Sequence, residues 1–295
     1  MACLVFIFIA FLDVGAFVEN ARRGLLVFGL NVLPVLFPFF FISGLLIELS
    51  TRFNRPVYFA LSYLAGFPTS ARMLSIAHSK GQIDRASAMR LATYTSTTSP
   101  IFIIATLGTA MYGDTQLGII IFVAHVLGAF ATGVLWCPSK KILVSAELAP
   151  PTKTPNLSAQ TVLAPANFFE RHHKTPAPKI DVCDAVSRSL NGAIQSVLMV
   201  GGLIVVFFIA TAGMPFWLLG VFELTTGVYH AQAHIAGIAR AIVPCAIVSF
   251  GGLCVAMQGF VFLKNFQMPA WYYFGYKGIQ TILSVLFCMM IFFLT

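Results

Sequence analysis

Long apolar runs separated by short polar joints organise this chain, and the breaks inside the runs carry most of the information. Residues 1–17 are apolar apart from Asp13. With no basic residue before them and no small-residue cleavage pattern after them, they predict a first helix, not a cleaved leader. The run from Gly24 to Ile47 is long enough to span a bilayer, and Asn31, Pro34 and Pro38 predict a kink in it. From Pro56 to Gln82 a short apolar arm reaches Gly66-Phe67-Pro68-Thr69-Ser70-Ala71-Arg72, and an amphipathic arm returns to His78-Ser79-Lys80. At 1.5 Å per residue each arm covers about half a bilayer, which predicts a re-entrant hairpin. Residues 86–112 are interrupted at Thr95-Ser96-Thr97-Thr98-Ser99-Pro100, and residues 116–136 are a plain helix ending at the interfacial Trp136.

The plan then repeats. The run 193–216 is followed by a short segment with the tip Glu223-Leu224-Thr225-Thr226-Gly227. Residues 241–263 break at Ser249-Phe250-Gly251-Gly252, and residues 270–294 close the chain behind a Trp271-Tyr272-Tyr273 belt. Corresponding features keep step: Gly66 to Glu223 is 157 positions, Thr97 to Gly251 is 154, and Gln116 to Pro269 is 153. Independent segments would drift, so two halves of one architecture are expected. The domains are then an N-terminal helix over 1–23, a first repeat over 24–137, a linker over 138–187 and a second repeat over 188–295. Seven of the fifteen prolines fall in residues 138–180, with six Lys and Arg, as in a solvated linker.

Composition agrees. The chain is 58% hydrophobic and 9% charged, with mean hydropathy +0.88, which excludes an ordinary globular enzyme, a disordered chain and a nucleic-acid binder. The expected fold is an all-α polytopic membrane protein of about seven transmembrane helices plus two re-entrant hairpins in two inverted repeats. The net charge of +8 sits in the joints. With the linker in the cytoplasm, Arg52, Arg55, Arg72, Lys80, Arg85 and Arg90 gather on the same side, as the positive-inside rule asks. Arg22 and Arg23 then fall outside; a parallel-repeat arrangement would bring them in, and both remain open. The six Cys show no ligand spacing and read as buried small hydrophobes.

Broken helices and hairpins in apolar surroundings leave backbone groups that protein, water or a solute must satisfy, which is the build of secondary transporters. The candidate solute-binding residues are Pro68, Thr69, Ser70, Arg72, Thr95, Ser96, Thr97, Thr98, Glu223, Thr225, Thr226, Gly251, Gly252 and Gln258. Glu223 is the only carboxylate between Arg188 and the C-terminus. It reads as a solute ligand or coupling-proton acceptor, or else as a structural ion pair with Arg72. Arg72 reads equally as a carboxylate or phosphate receptor and as a snorkelling anchor. Gln258 either lines the cavity or caps a helix contact. His125 reads first as a packing residue and second as a proton relay. His230 and His234 lack a third ligand, so no metal or other cofactor is expected. Met111-Tyr112-Gly113-Asp114 and Phe41-Ile42-Ser43-Gly44 each miss the first Gly of an intramembrane protease motif, so no enzyme activity is expected. The remaining alternative is a non-transporting receptor or assembly partner acting through residues 138–180.

The four motifs at 66–72, 95–103, 222–227 and 249–254 with Gln258, in that order, resemble those of the bacterial sporulation-type integral membrane proteins of the nucleoside-recognition (Gate) domain family. The likeness covers about residues 24–136 and 188–294. It departs at Ser96, where the family pattern has Asn, and at Ser99, where it has Gly. The resemblance implies inverted Gate repeats akin to the core of concentrative nucleoside transporters. It also implies a bacterial inner-membrane location, a small polar or anionic solute with an optional coupling ion, and self-association into homo-oligomers.

Overall fold

The computed structural model describes residues 14–50, 52–136, 181–211 and 214–294. The helix expected at 1–17 lies mostly outside these residues, as does linker 138–180. All regular elements among them are helical. Helix α1 (Val14–Val27) passes through a π-turn at Phe28–Val32 into α2 (Leu33–Leu49), with a 50° bend. The expected kink is therefore present, with the π-turn just ahead of Pro34 rather than at Pro38, which α2 carries inside it. Helices α3 (Arg55–Ala65) and α4 (Thr69–Ser79) form the first hairpin. Then come α5 (Arg85–Thr95), a π-helical segment Ile101–Met111 and α6 (Thr115–Leu135). The second half holds α7 (Val182–Ala210), the hairpin α8 (Phe216–Phe222) and α9 (Leu224–His234), then α10 (Ala239–Phe250), α11 (Gly252–Leu263) and α12 (Ala270–Leu294).

Acidic residues start these helices. Asp84 accepts from Ser87 N at 2.6 Å, Asp114 from Leu117 N at 2.9 Å and Asp181 from Cys183 N at 2.9 Å. Each satisfies an N–H that the first turn leaves orphaned. The Asp181 cap corrects the linker boundary: residues 182–187 are helix, because the cap starts α7 well before its apolar run begins. That run stops at Ala210, where Thr211 N bonds to Phe207 O, short of the expected 216.

Among the described residues α6, α7, α12 and the run Ala239–Phe266 that holds α10 and α11 are long and apolar enough to cross a membrane, making four spans, or five if the bent α1–α2 pair counts as one. That is fewer than the expected seven: α5 and its π-helical continuation are each too short alone. Apolar side chains such as Ile282, Leu286 and Phe293 of α12 lie exposed on the outer surface, at 62%, 56% and 74%, where lipid would solvate them. Inside, small residues allow close approach: a Cβ on Gly128 of α6 would sit 2.1 Å from Ser284 Oγ of α12.

Polar contacts fix the ends. Lys80 Nζ, past α4, donates to Glu48 O at 3.2 Å, and Gln82 Nε2 donates to Ser50 O at 2.7 Å. The first hairpin therefore returns to the end it left. Glu48 at that end also pairs with Lys80 at 2.9 Å and with Arg188 of α7 at 3.3 Å, and Arg85 there donates to Phe266 O at 2.9 Å. Arg240, at the start of α10, donates instead to Tyr112 O, before α6, at 3.1 Å.

Candidate functional site

The interruption between α5 and the π-helical segment is densely bonded to its surroundings. A helix ending in the interior exposes its last carbonyls, and here every one from Tyr94 to Thr97 meets a donor from another element. Tyr63 Oη donates to Tyr94 O at 2.8 Å, and Ser70 Oγ to Thr95 O at 3.0 Å. Lys277 Nζ donates to Ser96 O at 3.0 Å, Gln280 Nε2 to the same oxygen at 3.3 Å, and Phe67 N to Thr97 O at 2.7 Å. Thr98 N–H donates to His125 Nε2 at 2.9 Å. That bond makes Nε2 the acceptor, so the neutral imidazole carries its proton on Nδ1 and donates it to Ser249 Oγ at 2.9 Å.

The first hairpin tip and both helix breaks are thereby joined. Thr98 Oγ1 donates to Val248 O across the halves at 3.2 Å. Gly66, with φ +73°, lies so near the first break that a Cβ would stand 2.6 Å from Ser99 N. The second hairpin closes the row, since a Cβ on Gly252 would stand 3.3 Å from Phe222 O. Pro68, Thr69, Ser70, Thr95, Ser96, Thr97, Thr98, Gly251 and Gly252 therefore belong to one connected interior region. Thr69 Oγ1 and Thr97 Oγ1 are buried there without a hydrogen-bond partner.

Two candidates stand differently from expectation. Glu223 is buried, but its carboxylate caps its own helix α9, accepting from Thr225 N at 3.1 Å and Thr226 N at 2.6 Å. Arg72 is 4% exposed, so it does not snorkel. Its Nη1 donates to Phe40 O at 2.6 Å, its Nε to Ser196 Oγ at 3.0 Å, and its guanidinium lies 5.1 Å from the Phe40 ring centroid. The Arg72–Glu223 ion pair is thus absent among the described residues, because the cap and the α2–α7 contacts satisfy each partner separately. Thr225 and Thr226 contribute backbone N–H groups to the cap. Gln258 is buried and donates to Cys254 Sγ of its own helix at 3.3 Å, and the Gly259 beside it packs on the Phe67 ring.

Other sequence candidates resolve locally. Asp114 is a cap, and His234 Nδ1 lies 2.8 Å from His230 O. No group of three His, Cys, Asp or Glu able to hold a metal comes together among the described residues. Cys245, Cys254 and Cys288 are buried, but Cys183 is exposed on the first turn of α7, contrary to the reading of the cysteines as buried.

Sequence reasoning passed over Lys277 and Gln280. Lys277 is the only charged residue in 270–294, and the rule that intramembrane charge marks function would have found it. The neighbouring aromatic belt instead drew that stretch to the interface. Lys277 is 3% exposed and also bonds Gln280 Oε1 at 2.9 Å.

These helices, with apolar side chains on the outer surface and a bonded polar row buried inside an otherwise apolar core, define an all-helical integral membrane protein. No family model and no solved structure matches the chain. It is similar, at 26% identity over 320 residues, to the sporulation integral membrane protein YlbJ of Bacillus subtilis (strain 168), the match covering 92% of this chain and 77% of that protein.

Proposed function

We propose that the chain is a secondary transporter or facilitator moving a small polar or anionic metabolite, nucleoside-like or carboxylate, across a bacterial inner membrane. The observation that carries this reading is the buried row of hairpin tip, helix break, helix break and hairpin tip, bonded across the halves through Thr98, His125 and Ser249. Unwound backbone at membrane depth is expensive unless it serves a site. The unpartnered hydroxyls of Thr69 and Thr97 are the groups a solute would meet first, with Glu223 and the cap N–H groups of Thr225 and Thr226 on the far side.

The finer architecture we infer is a pair of inverted Gate-type repeats, as the ordered motifs imply. The end contacts support it. The first hairpin opens toward Glu48 and Arg188. The second lies between α7, which starts at that end, and α10, which starts beside Tyr112, so it opens the opposite way. The basic residues Arg52, Arg55, Lys80, Arg85 and Arg188 near the first end favour the cytoplasm there. Rocking of one half against the other would expose the row alternately, driven by a coupling ion or by the solute's own gradient.

The test is thermal stabilisation of the detergent-purified protein by nucleosides, nucleobases, dicarboxylates and aromatic acids, beside Thr69→Ala and Thr97→Ala. A ligand at 100 times its Kd should add about 2.7 kcal/mol. A shift that disappears in either variant places the solute at the first tip and break. No shift with any compound, together with no uptake into proteoliposomes, would overturn the reading.

A further inference from the structure

We propose that the Lys277 ammonium is a built-in cation. From its tether on α12 it fills the place in the first helix break where a free monovalent cation such as sodium would otherwise be held, so the transport cycle needs no sodium. The part concerning transport rests on the function proposed above; the part concerning the site does not.

The negative end of a helix dipole and the carbonyls of an unwound turn are what secondary transporters offer to a coupling cation. In this chain the C-terminus of α5 presents that end, and the oxygen left over once the hairpin has taken Thr95 O and Thr97 O is Ser96 O. Lys277 Nζ sits 3.0 Å from it and 2.9 Å from Gln280 Oε1. A backbone carbonyl and an amide oxygen are neutral hard ligands of the kind alkali cations take. Thr97 Oγ1, in the same turn, and Thr69 Oγ1, on the facing hairpin tip, are buried oxygens with no hydrogen-bond partner.

A buried ammonium is ordinarily balanced by a carboxylate, but the carboxylates with described partners are committed elsewhere. Asp84, Asp114, Asp181 and Glu223 cap helices, Glu48 takes Lys80 and Arg188, and Glu19 takes Arg22 and Arg23. No ion pair to Lys277 is present among the described residues. The imidazole of His125, on the next backbone group of the break, is held neutral by its acceptor bond from Thr98 N–H. What Lys277 Nζ meets is Ser96 O at the C-terminus of α5 and Gln280 Oε1 from its own helix, which together make a cation site with its cation attached to the chain.

The test uses the full chain in detergent, with melting temperatures read in sodium chloride, ethylammonium chloride and choline chloride at matched ionic strength. Wild type should melt at the same temperature in all three. Lys277→Ala leaves a gap the length of the lysine stem with the ammonium position at its end, and should melt lower in choline. Sodium or ethylammonium should raise it by about 3 °C or more; choline is too large to enter. Lys277→Met fills the gap without charge, guards against a misfolded alanine variant, and should respond to neither cation. Sodium stabilisation of wild type, equal melting of Lys277→Ala in all three salts, or a Met variant as cation-responsive as the Ala variant would each overturn the proposal. No solute enters these measurements, so their failure is distinguishable from a failure of the transport reading, which the solute panel alone decides.

Discussion

The two hairpin-and-break pairs occupy matching places in the two halves, yet they are locked by different physics. The first is stitched by side chains: α5 ends in a turn whose carbonyls are taken by Tyr63, Ser70, Lys277, Gln280 and the Phe67 amide. The second is closed mainly by backbone, apart from the two bonds that reach it from the first, Thr98 Oγ1 to Val248 O and His125 Nδ1 to Ser249 Oγ. Gly251 and Gly252, at φ +85° and +72°, make the turn between α10 and α11, and a Cβ on Gly227 of α9 would lie 2.2 Å from Gly220 Cα of α8. Glu223 caps its own helix without reaching another element. A side-chain lock can be unmade and remade by rotamer changes or a competing solute, whereas a glycine contact only slides or separates. The first pair is therefore the one whose lock side-chain rearrangement can undo.

Substitutions at two positive-φ glycines separate these locks most strongly. Ala at Gly66 would have to adopt φ +73° with ψ −171°, a region essentially confined to glycine, which costs about 1–3 kcal/mol. Its Cβ would also meet Ser99 N at 2.6 Å, and relief of such overpacking costs a further ~1–3 kcal/mol. Gly66→Ala is expected to lower stability by about 2–6 kcal/mol. Gly251 has φ +85° and ψ −9°, the milder left-handed helical region, and the nearest atom to a Cβ there, Val255 Cγ1, is 3.7 Å away. Gly251→Ala should lose only about 1–2 kcal/mol. Parallel thermal melts of the two variants check the ranking, and equal losses would show that the first tip is not braced against the break.

Removing His125 attacks the link between the two breaks. His125→Ala strips the acceptor from Thr98 N–H and the donor from Ser249 Oγ, and each buried group left unpaired costs about 1–3 kcal/mol. Ser249→Ala removes one weaker partner and leaves the Thr98 bond in place, so about 1 kcal/mol is expected. The double variant should cost little more than His125→Ala alone, because the His125–Ser249 bond that Ser249→Ala removes is already gone. Additive losses in thermal melts would mean that the His125–Ser249 bond does not hold the breaks together.

How much of this the sequence carried follows from which groups break a pattern. The hairpin at 56–82, the interruptions at 95–100 and 249–252, and the helix at 116–136 are visible because Gly, Pro and hydroxyls interrupt apolar runs. The α7 start was not, since Asp181 caps a turn whose residues are still polar on one side. Glu223 and Arg72 were legible as unusual and not as separate. Charge in an apolar context says that a partner is required, and it does not distinguish backbone N–H groups or carbonyls from an opposite charge. Lys277 was hidden by the reverse error, with Trp271, Tyr272 and Tyr273 suggesting an interface, although Tyr272 and Tyr273 are themselves buried.

The smallest expected effect is at Glu223, and it sharpens the comparison most. The carboxylate accepts two N–H bonds in the first turn of α9, where the helix leaves those N–H groups without partners of its own. In Glu223→Gln the amide oxygen can keep one of those bonds, while the NH₂ group cannot accept the other. The loss should be about 0.5–2 kcal/mol, the range for a weakened cap. Solute-induced stabilisation should weaken less than in Thr69→Ala or Thr97→Ala, because the cap is internal to the second hairpin while the open hydroxyls lie at the first. If Glu223→Gln instead melts like wild type and loses all response to solute, the carboxylate is spent on the solute rather than on the helix. The second hairpin, not the first, would then be the one that opens.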